Sequence, residues 1–266
     1  MDVVINATYD DAIPVDAHQA MAHAHQNILH ALGYSREYPP VAELLKRYHG
    51  LSGDWLVASP IYWQATHNDG MLIACNETLD FGTLGAKHYF NVFSALMAEE
   101  NIPVFFHDET TWLIQIKDKP PLKAKPPHDL IQQSFTEHLF ALDDTLHWQR
   151  LITECQMAFN VPQVTSAQAQ VNGVWFWGGG ALLPRSARLT LANDQRLMST
   201  LSSNVHAFDV QFLNQKDVLI FLEDGCGEQI KLIKTHAKNK IIRWHWNNVA
   251  YRTKASSWVA RLLGRA

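Results

Sequence analysis

Residues 172–184 read NGVWFWGGGALLP, and this stretch decides the fold. Val174 to Trp177 are large, β-favouring residues bounded by Asn172-Gly173 on one side and Gly178-Gly179-Gly180 on the other. That pattern predicts a short buried strand running into a loop. Alternation puts Trp175 and Trp177 on one face and Val174 and Phe176 on the other.

Upstream, Thr145 to Phe159 carries helical spacing, and before it lies KDKPPLKAKPPHD, residues 117–129. Two Pro-Pro pairs among four lysines predict an extended, solvated connector. It divides the chain into an N-terminal α/β part, 1–116, and a C-terminal α/β part, 130–266, carrying the Trp-Gly segment. It reads equally well as a loop draped over a single domain. Within the first part, Val3-Val4-Ile5 predicts a short strand and residues 15–32 a helix, opened by Pro14 and Asp16 and stopped by Gly33. Val41 to Tyr48 and Lys87 to Glu99 follow as helices. Asp54 to Thr66 and Met71 to Cys75 form a hairpin through Asp69-Gly70. Pro103 to His107 and Thr110 to Lys117 are two more strands. Downstream of the Trp-Gly segment the reading gives a helix from Asp194 to Ser203, strands at Asp217–Leu222 and Ile241–Trp246, and a closing helix at Ser256–Leu263. Strands and helices alternate through most of the chain, so the expected class is α/β or α+β with a mixed sheet and flanking helices.

Composition narrows the function classes. The chain has 266 residues, 47% of them hydrophobic, with 22 Lys+Arg against 26 Asp+Glu and a formal net charge of −4. Disorder and fibrous classes are excluded. The acidic balance argues against duplex nucleic acid as a partner; a modest basic strip at Arg243, Arg252, Lys254, Arg261 and Arg265, beside the RWHW run at 243–246, leaves single-stranded nucleic acid a minor reading. The longest uncharged stretch, Cys155 to Pro184, is broken by Gln156, Asn160, Gln163, Gln168, Gln170 and Asn172, so no membrane span is expected. Three cysteines without a CxxC, and an N-terminus lacking a basic start and a long apolar stretch, fit a cytoplasmic location.

Candidate chemistry is sparse. Asp10 and Asp11 follow the first strand, at the carboxyl end where α/β proteins place their sites, and are the candidate metal ligands; turn formation and capping are the simpler explanation of the pair. Of the 14 histidines, His18, His23, His25 and His30 cluster on the predicted helix without an HExxH. Gly178, Gly179 and Gly180 offer backbone N–H groups to an anion, with Arg185 and Arg188 close in sequence, although neither GxGxxG nor GK[ST] is present. No GxSxG elbow and no local cysteine-activating signature occurs.

The longer segment LITECQMAFNVPQVTSAQAQVNGVWFWGGGALLP, residues 151–184, resembles the regulatory protein RpfE family of proteobacteria. The matching positions are Glu154, Gln156 and Met157 of a Glu-x-Gln-Met helix, then Asn172, Trp175, Trp177, Gly178 and Gly180. DWLVASPIYWQATHNDGMLI, residues 54–73, is similar to that family's strand pair, with Ser59 where the family favours Asp before Pro60. Trp112 and the Trp258-Val-Ala-Arg segment extend the resemblance to roughly residues 50–266. The Asn-Gly-x-Trp-x-Trp-Gly-x-Gly core is also similar to a segment of archaeal-type cofactor-independent phosphoglycerate mutases. Those enzymes belong to the alkaline-phosphatase superfamily and use two divalent metals with a Ser or Thr nucleophile. After Gly180 the Asp and His residues are Asp194, His206, Asp209, Asp217, Asp224, His236 and His245, and none forms an Asp-His or Asp-x-x-x-His pair.

The resemblance therefore implies a cytoplasmic bacterial protein, distantly alkaline-phosphatase-superfamily-like. Its role would be regulatory or small-anion-binding, without catalysis and without a cofactor. The expected ligand contacts are Glu154, Gln156, Asn172, Trp175, Trp177, Gly178, Gly179, Gly180 and Arg185, for a small phosphorylated or anionic ligand. The alternative is a Mn²⁺- or Mg²⁺-dependent phosphoglycerate mutase or phosphatase with Asp10 and Asp11 as ligands.

Overall fold

A computed structural model describes residues 1–19, 21, 23–65, 67, 69–79, 82–159 and 171–253. The closing helix expected at 256–263, together with Lys254, Trp258, Arg261 and Arg265, lies outside these residues. The architecture is mixed α/β, with two sheets flanked by helices. The chain divides into two compact units, Met1–Arg36 with Leu182–Ala266, and Glu37–Ala181. The division falls at Arg36 and Ala181, and the 117–129 connector lies wholly inside the second unit.

Elements are numbered along the chain. The first unit holds β1 (Asp2–Asn6), β2 (His18–Gln19), α1 (Ala24–Ala31), β8 (Thr190–Ala192), α6 (Gln195–Ser199), β9 (Val205–Ala207), β10 (Leu219–Glu223), α7 (Gly227–His236), β11 (Ile242–His245) and β12 (Val249–Thr253). Its sheet runs β2-β12-β11-β1-β10-β8-β9. The five strands from β11 to β9 are parallel, while β12 and β2 join antiparallel at one end. Val3 and Ile5 of β1 pair with Ile220 and Leu222 of β10. These four residues share a core with Ile233 of α7, Trp244 and Tyr251. Val4 and Phe221 alternate to the opposite face, and α1 packs against β1 from there with Ile28 and Leu29 buried.

Three expectations need correction here. The helix placed at 15–32 forms only from Ala24, because Ala17 closes a turn onto Pro14 and His18 extends to pair with Ala250 of β12. The helix placed at 194–203 ends at Ser199, since Ser202 is held by the carbonyls of Ser186 and Arg188. Within the RWHW run Trp244 offers no stacking face, being fully buried, while Trp246 is half-buried and Arg243 is engaged by Asp2.

Asp2 anchors the amino end of this sheet. Its carboxylate, 3% exposed, receives Arg243 Nε at 2.6 Å and Arg188 Nη2 at 2.5 Å. Arg188 also donates to the carbonyls of Ala31, Asp217 and Val218, tying α1 to the strand edge. Burial acts to raise the Asp2 carboxyl. Hydrogen bonding by His245, Arg243 and Arg188 outweighs it and holds the group well below the usual carboxylate range.

The second unit holds α2 (Val41–His49), β3 (Trp55–Ala65), β4 (Gly70–Cys75), α3 (Gly82–Glu99), β5 (Val104–Phe106), β6 (Trp112–Gln115), α4 (Phe135–Phe140), α5 (His147–Phe159) and β7 (Gly173–Trp177). The long strand β3 is the trunk of its antiparallel sheet, pairing β6 through its first residues, β7 through Val57–Ile61 and β4 through its last. Phe176 meets Phe93 of α3 and Trp148 of α5 on one face of β7. On the other face Trp175 stacks near Phe135 of α4 and donates to the Lys125 carbonyl at 2.9 Å. Trp148 likewise donates to the Pro120 carbonyl. These indoles explain why a proline- and lysine-rich stretch is not a linker: Ala124, Pro126 and Pro127 are buried with it.

Candidate functional site

In an open α/β sheet, the favoured binding crevice lies beyond the carboxyl ends of strands whose following helices leave to opposite faces. In the first unit those strands are β1 and β10, followed by α1 and α7. Between Asp2 and its end β1 is apolar, β10 is apolar up to its end, and the two close on polar residues, Asn6 and Glu223, paired in register. Asn6 Nδ2 donates to Glu223 Oε2 at 2.8 Å. Asn193, just past β8, accepts from the backbone N–H of Glu223 at 2.8 Å and of Asp194 at 3.1 Å. Asn247, just past β11, reaches Asn6 Oδ1 at 3.3 Å, and its own Oδ1 is buried without a hydrogen-bond partner. Four strand ends thus converge on one oxygen-rich network.

The electrostatics there are acidic. Burial raises the Glu223 carboxyl, the Asn6 donor partly offsets it, and the neighbouring carboxylates of Asp194 and Asp224 raise it further. One side of the crevice is aromatic. Tyr9 meets Trp246 at 5.1 Å and Tyr251 at 5.5 Å between ring centroids, and Asn248 brackets the Tyr9 backbone with two hydrogen bonds. Burial pushes the Tyr251 hydroxyl up to about 12, so Tyr251 stays neutral at physiological pH.

Asp10 and Asp11 lie exposed in the segment after β1. Among the described residues, no group of three or more His, Cys, Asp or Glu side chains is arranged to hold a metal ion. Asp194 is further occupied by capping α6, accepting from Arg196 N and Leu197 N. The donors present do not fit a two-metal centre, which needs several convergent Asp and His ligands. Nor is there an activated thiol: Cys75, Cys155 and Cys226 are buried and unpaired, and burial raises all three, Cys75 to about 12.

The Trp-Gly segment has its polar groups engaged by the protein itself. Trp177 Nε1 donates to Ser59 Oγ at 2.9 Å, and both partners are buried. This hydroxyl is what the residue before Pro60 supplies in this chain. Asn172 acts as a surrogate strand residue at the β3 irregularity, accepting from Trp63 N at 3.0 Å and donating to Trp63 O at 2.7 Å. Gly178 takes φ +76, and its carbonyl accepts from Ala42 N in the first turn of α2. Gly179 lies so close to Leu56 that a Cβ would meet its Cδ2 at 2.8 Å, and Gly180 is exposed. On α5, Glu154 faces Arg150 at 3.5 Å, while Gln156 is half-buried on the same helix. Arg185 is exposed and belongs to the first unit.

Sequence reasoning passed over Asn6, Asn193, Glu223 and Asn247. The available signal was a polar residue closing an apolar strand, as in VVIN (3–6) and LIFLE (219–223). Only the sheet order makes those endings neighbours.

No protein-family model matches the chain, and no curated protein matches its sequence. Among solved structures it is similar to a cofactor-independent phosphoglycerate mutase from Thermoplasma acidophilum DSM 1728, at 10% identity and a TM-score of 0.34, over 90% of this chain and 79% of that one.

Proposed function

We propose that this chain is a non-catalytic, RpfE-type regulatory protein of the bacterial cytoplasm whose ligand sits at the Asn6–Glu223 crevice. The observation that carries the reading is the convergence of Asn6, Asn193, Glu223 and Asn247 at the point where β1 and β10 send their helices to opposite faces. The half-buried side chains of Asn6, Asn247 and Glu223 cost free energy at these strand ends, and a binding role accounts for their presence. The carboxylates of Glu223, Asp194 and Asp224 favour a positively charged ligand, and the carboxamides favour hydroxyl donors on it. The class is a small organic cation bearing hydroxyl groups, with Tyr9 and Trp246 as an aromatic flank. Three buried, unpaired cysteines go with a reducing compartment.

The rival is a metal-dependent phosphomutase or phosphatase with Asp10 and Asp11 as ligands to Mg²⁺ or Mn²⁺, for which two carboxylates are a sparse donor set. Thermal unfolding separates the two. Ethanolamine alone should raise the midpoint on the order of 5–10 °C when about a hundredfold above its dissociation constant. A shift that appears only with Mn²⁺ and 3-phosphoglycerate together would overturn the binding reading in favour of the enzyme.

A further inference from the structure

The second unit contains a cleft of about 500 Å³ lined by Asp118, Lys119, Pro120, Thr145, Leu146, His147 and Arg150. We propose that it is a second, separate ligand site, one that takes the phosphate group of a small phosphorylated metabolite.

Three observations converge on it. Two permanent cations, Lys119 and Arg150, share the lining with His147, whose Nε2 is buried with no hydrogen-bond partner. That nitrogen has almost no accessible surface of its own, so an anion in the cleft would meet it only as the ring turns outward to supply the missing partner. The backbone at the rim is also strained. Asp118 has φ +58 and Leu146 φ +61, and leucine has no side-chain polar group to ease the left-handed conformation. Strain of this kind persists where the surrounding structure holds a site in shape. Finally, Glu100 already holds both cations, Arg150 Nη2 at 2.9 Å and Lys119 Nζ at 3.7 Å, yet is not part of the lining. Glu154 faces Arg150 Nε at 3.5 Å as well, so the cleft is left with the remaining guanidinium N–H groups and the ammonium of Lys119.

The donor chemistry points to phosphate. A guanidinium and an ammonium suit a tetrahedral dianion, set against the single carboxylate of Asp118 on the same lining, and the cleft leaves room for the small molecule that carries it. The helix end of α5 takes no part. Asp143 already accepts from Thr145 N, His147 N and Trp148 N and so occupies the first turn. His147 adds pH dependence. Burial first, then the charges of Lys119 and Arg150, lower its pKa, opposed by Glu100 and Asp143, so it is neutral at pH 7. A bound anion favours its protonated form, so binding tightens as pH falls.

Calorimetric titration with 3-phosphoglycerate in EDTA tests the site without metal. Wild type and Glu223→Gln should bind alike, because the crevice of the first unit is not involved. The double variant Lys119→Gln/Arg150→Gln should lose about tenfold or more in affinity. Glu100→Gln, which removes the competing carboxylate, should gain severalfold. Inorganic sulfate, whose charge does not change in this range, should bind more tightly at about pH 5.5 than at pH 8, and His147→Asn should abolish that difference. Absence of binding by the wild type, or equal affinity in the folded double variant, overturns the proposal. Sulfate binding without phosphoglycerate binding overturns the metabolite and leaves a bare anion.

Discussion

The carboxamide of Asn6 donates to the carboxylate of Glu223 at 2.8 Å, joining the last residues of two neighbouring parallel strands that are 217 positions apart in sequence. This bond sits at the one edge of the first sheet where β1 and β10 part company with their helices. Its chemistry can be tested through stability before any ligand is known.

Glu223 has a carboxyl held above its ordinary value by burial and by Asp194 and Asp224. A raised carboxyl contributes stability in full below its unfolded value, near 4.5, and loses that contribution as pH rises through the folded value. At neutral pH the ionised group therefore works against folding. Glu223→Gln keeps an acceptor for Asn6, so its midpoint at pH 7 should equal or exceed that of the wild type, with the advantage gone near about pH 4. Melting curves at the two pH values check it; a lower midpoint at pH 7 contradicts the assignment.

Asp2 works in the opposite direction. Its folded value is depressed, so its contribution is present above the unfolded value near 3.8 and is lost as pH falls toward the folded one. Asp2→Asn removes a buried carboxylate from Arg188, which keeps Asp217 at 2.8 Å, and from the largely exposed Arg243, and should cost about 1–3 kcal/mol near neutral pH. The variant should also lose less stability than the wild type between about pH 5 and pH 2. Urea unfolding across that range measures both effects.

Two glycines with positive φ separate backbone strain from crowding. Gly33 has φ +91 and open space around a would-be Cβ, whereas at Gly178, φ +76, a Cβ would meet Val57 Cγ2 at 2.9 Å. Gly33→Ala should cost about 1–2 kcal/mol from conformation alone. Gly178→Ala should cost clearly more, because Val57 and the α2 contact through the Gly178 carbonyl must shift as well. Equal losses in chemical denaturation would show that the close approach has no energetic weight.

Ser59→Ala removes the acceptor of the buried Trp177 indole and should destabilise by about 1–3 kcal/mol, with a change in tryptophan fluorescence. Ser59→Thr keeps the hydroxyl and should recover part of that loss.

Much of the local structure was legible in the sequence, and the reasons are local. The Trp-Gly strand, the Asp69-Gly70 hairpin and the α5 helix each carry their signal within a dozen residues. The residues at 117–129 left two readings open because Pro-Pro and lysine describe only exposure in isolation, whereas two indoles, Trp148 and Trp175, and apolar contacts decide their burial. The short strands at Thr190–Ala192 and Val205–Ala207 have too few residues for a period to show. Likewise His18–Gln19 is a strand only because Val249 and Ala250 are beside it. The crevice was illegible for the same reason: Asn6, Asn193, Glu223 and Asn247 are single polar residues in separate segments, and parallel pairing alone assembles them.

The most direct test of the crevice is a nuclear magnetic resonance titration that follows the side-chain NH₂ signals of Asn6, Asn193 and Asn247 as ethanolamine is added. The account predicts saturable shifts of all three in the wild type and their loss in Glu223→Gln. Unmoved carboxamide signals in the folded wild type, or the same shifts in the variant, would contradict it.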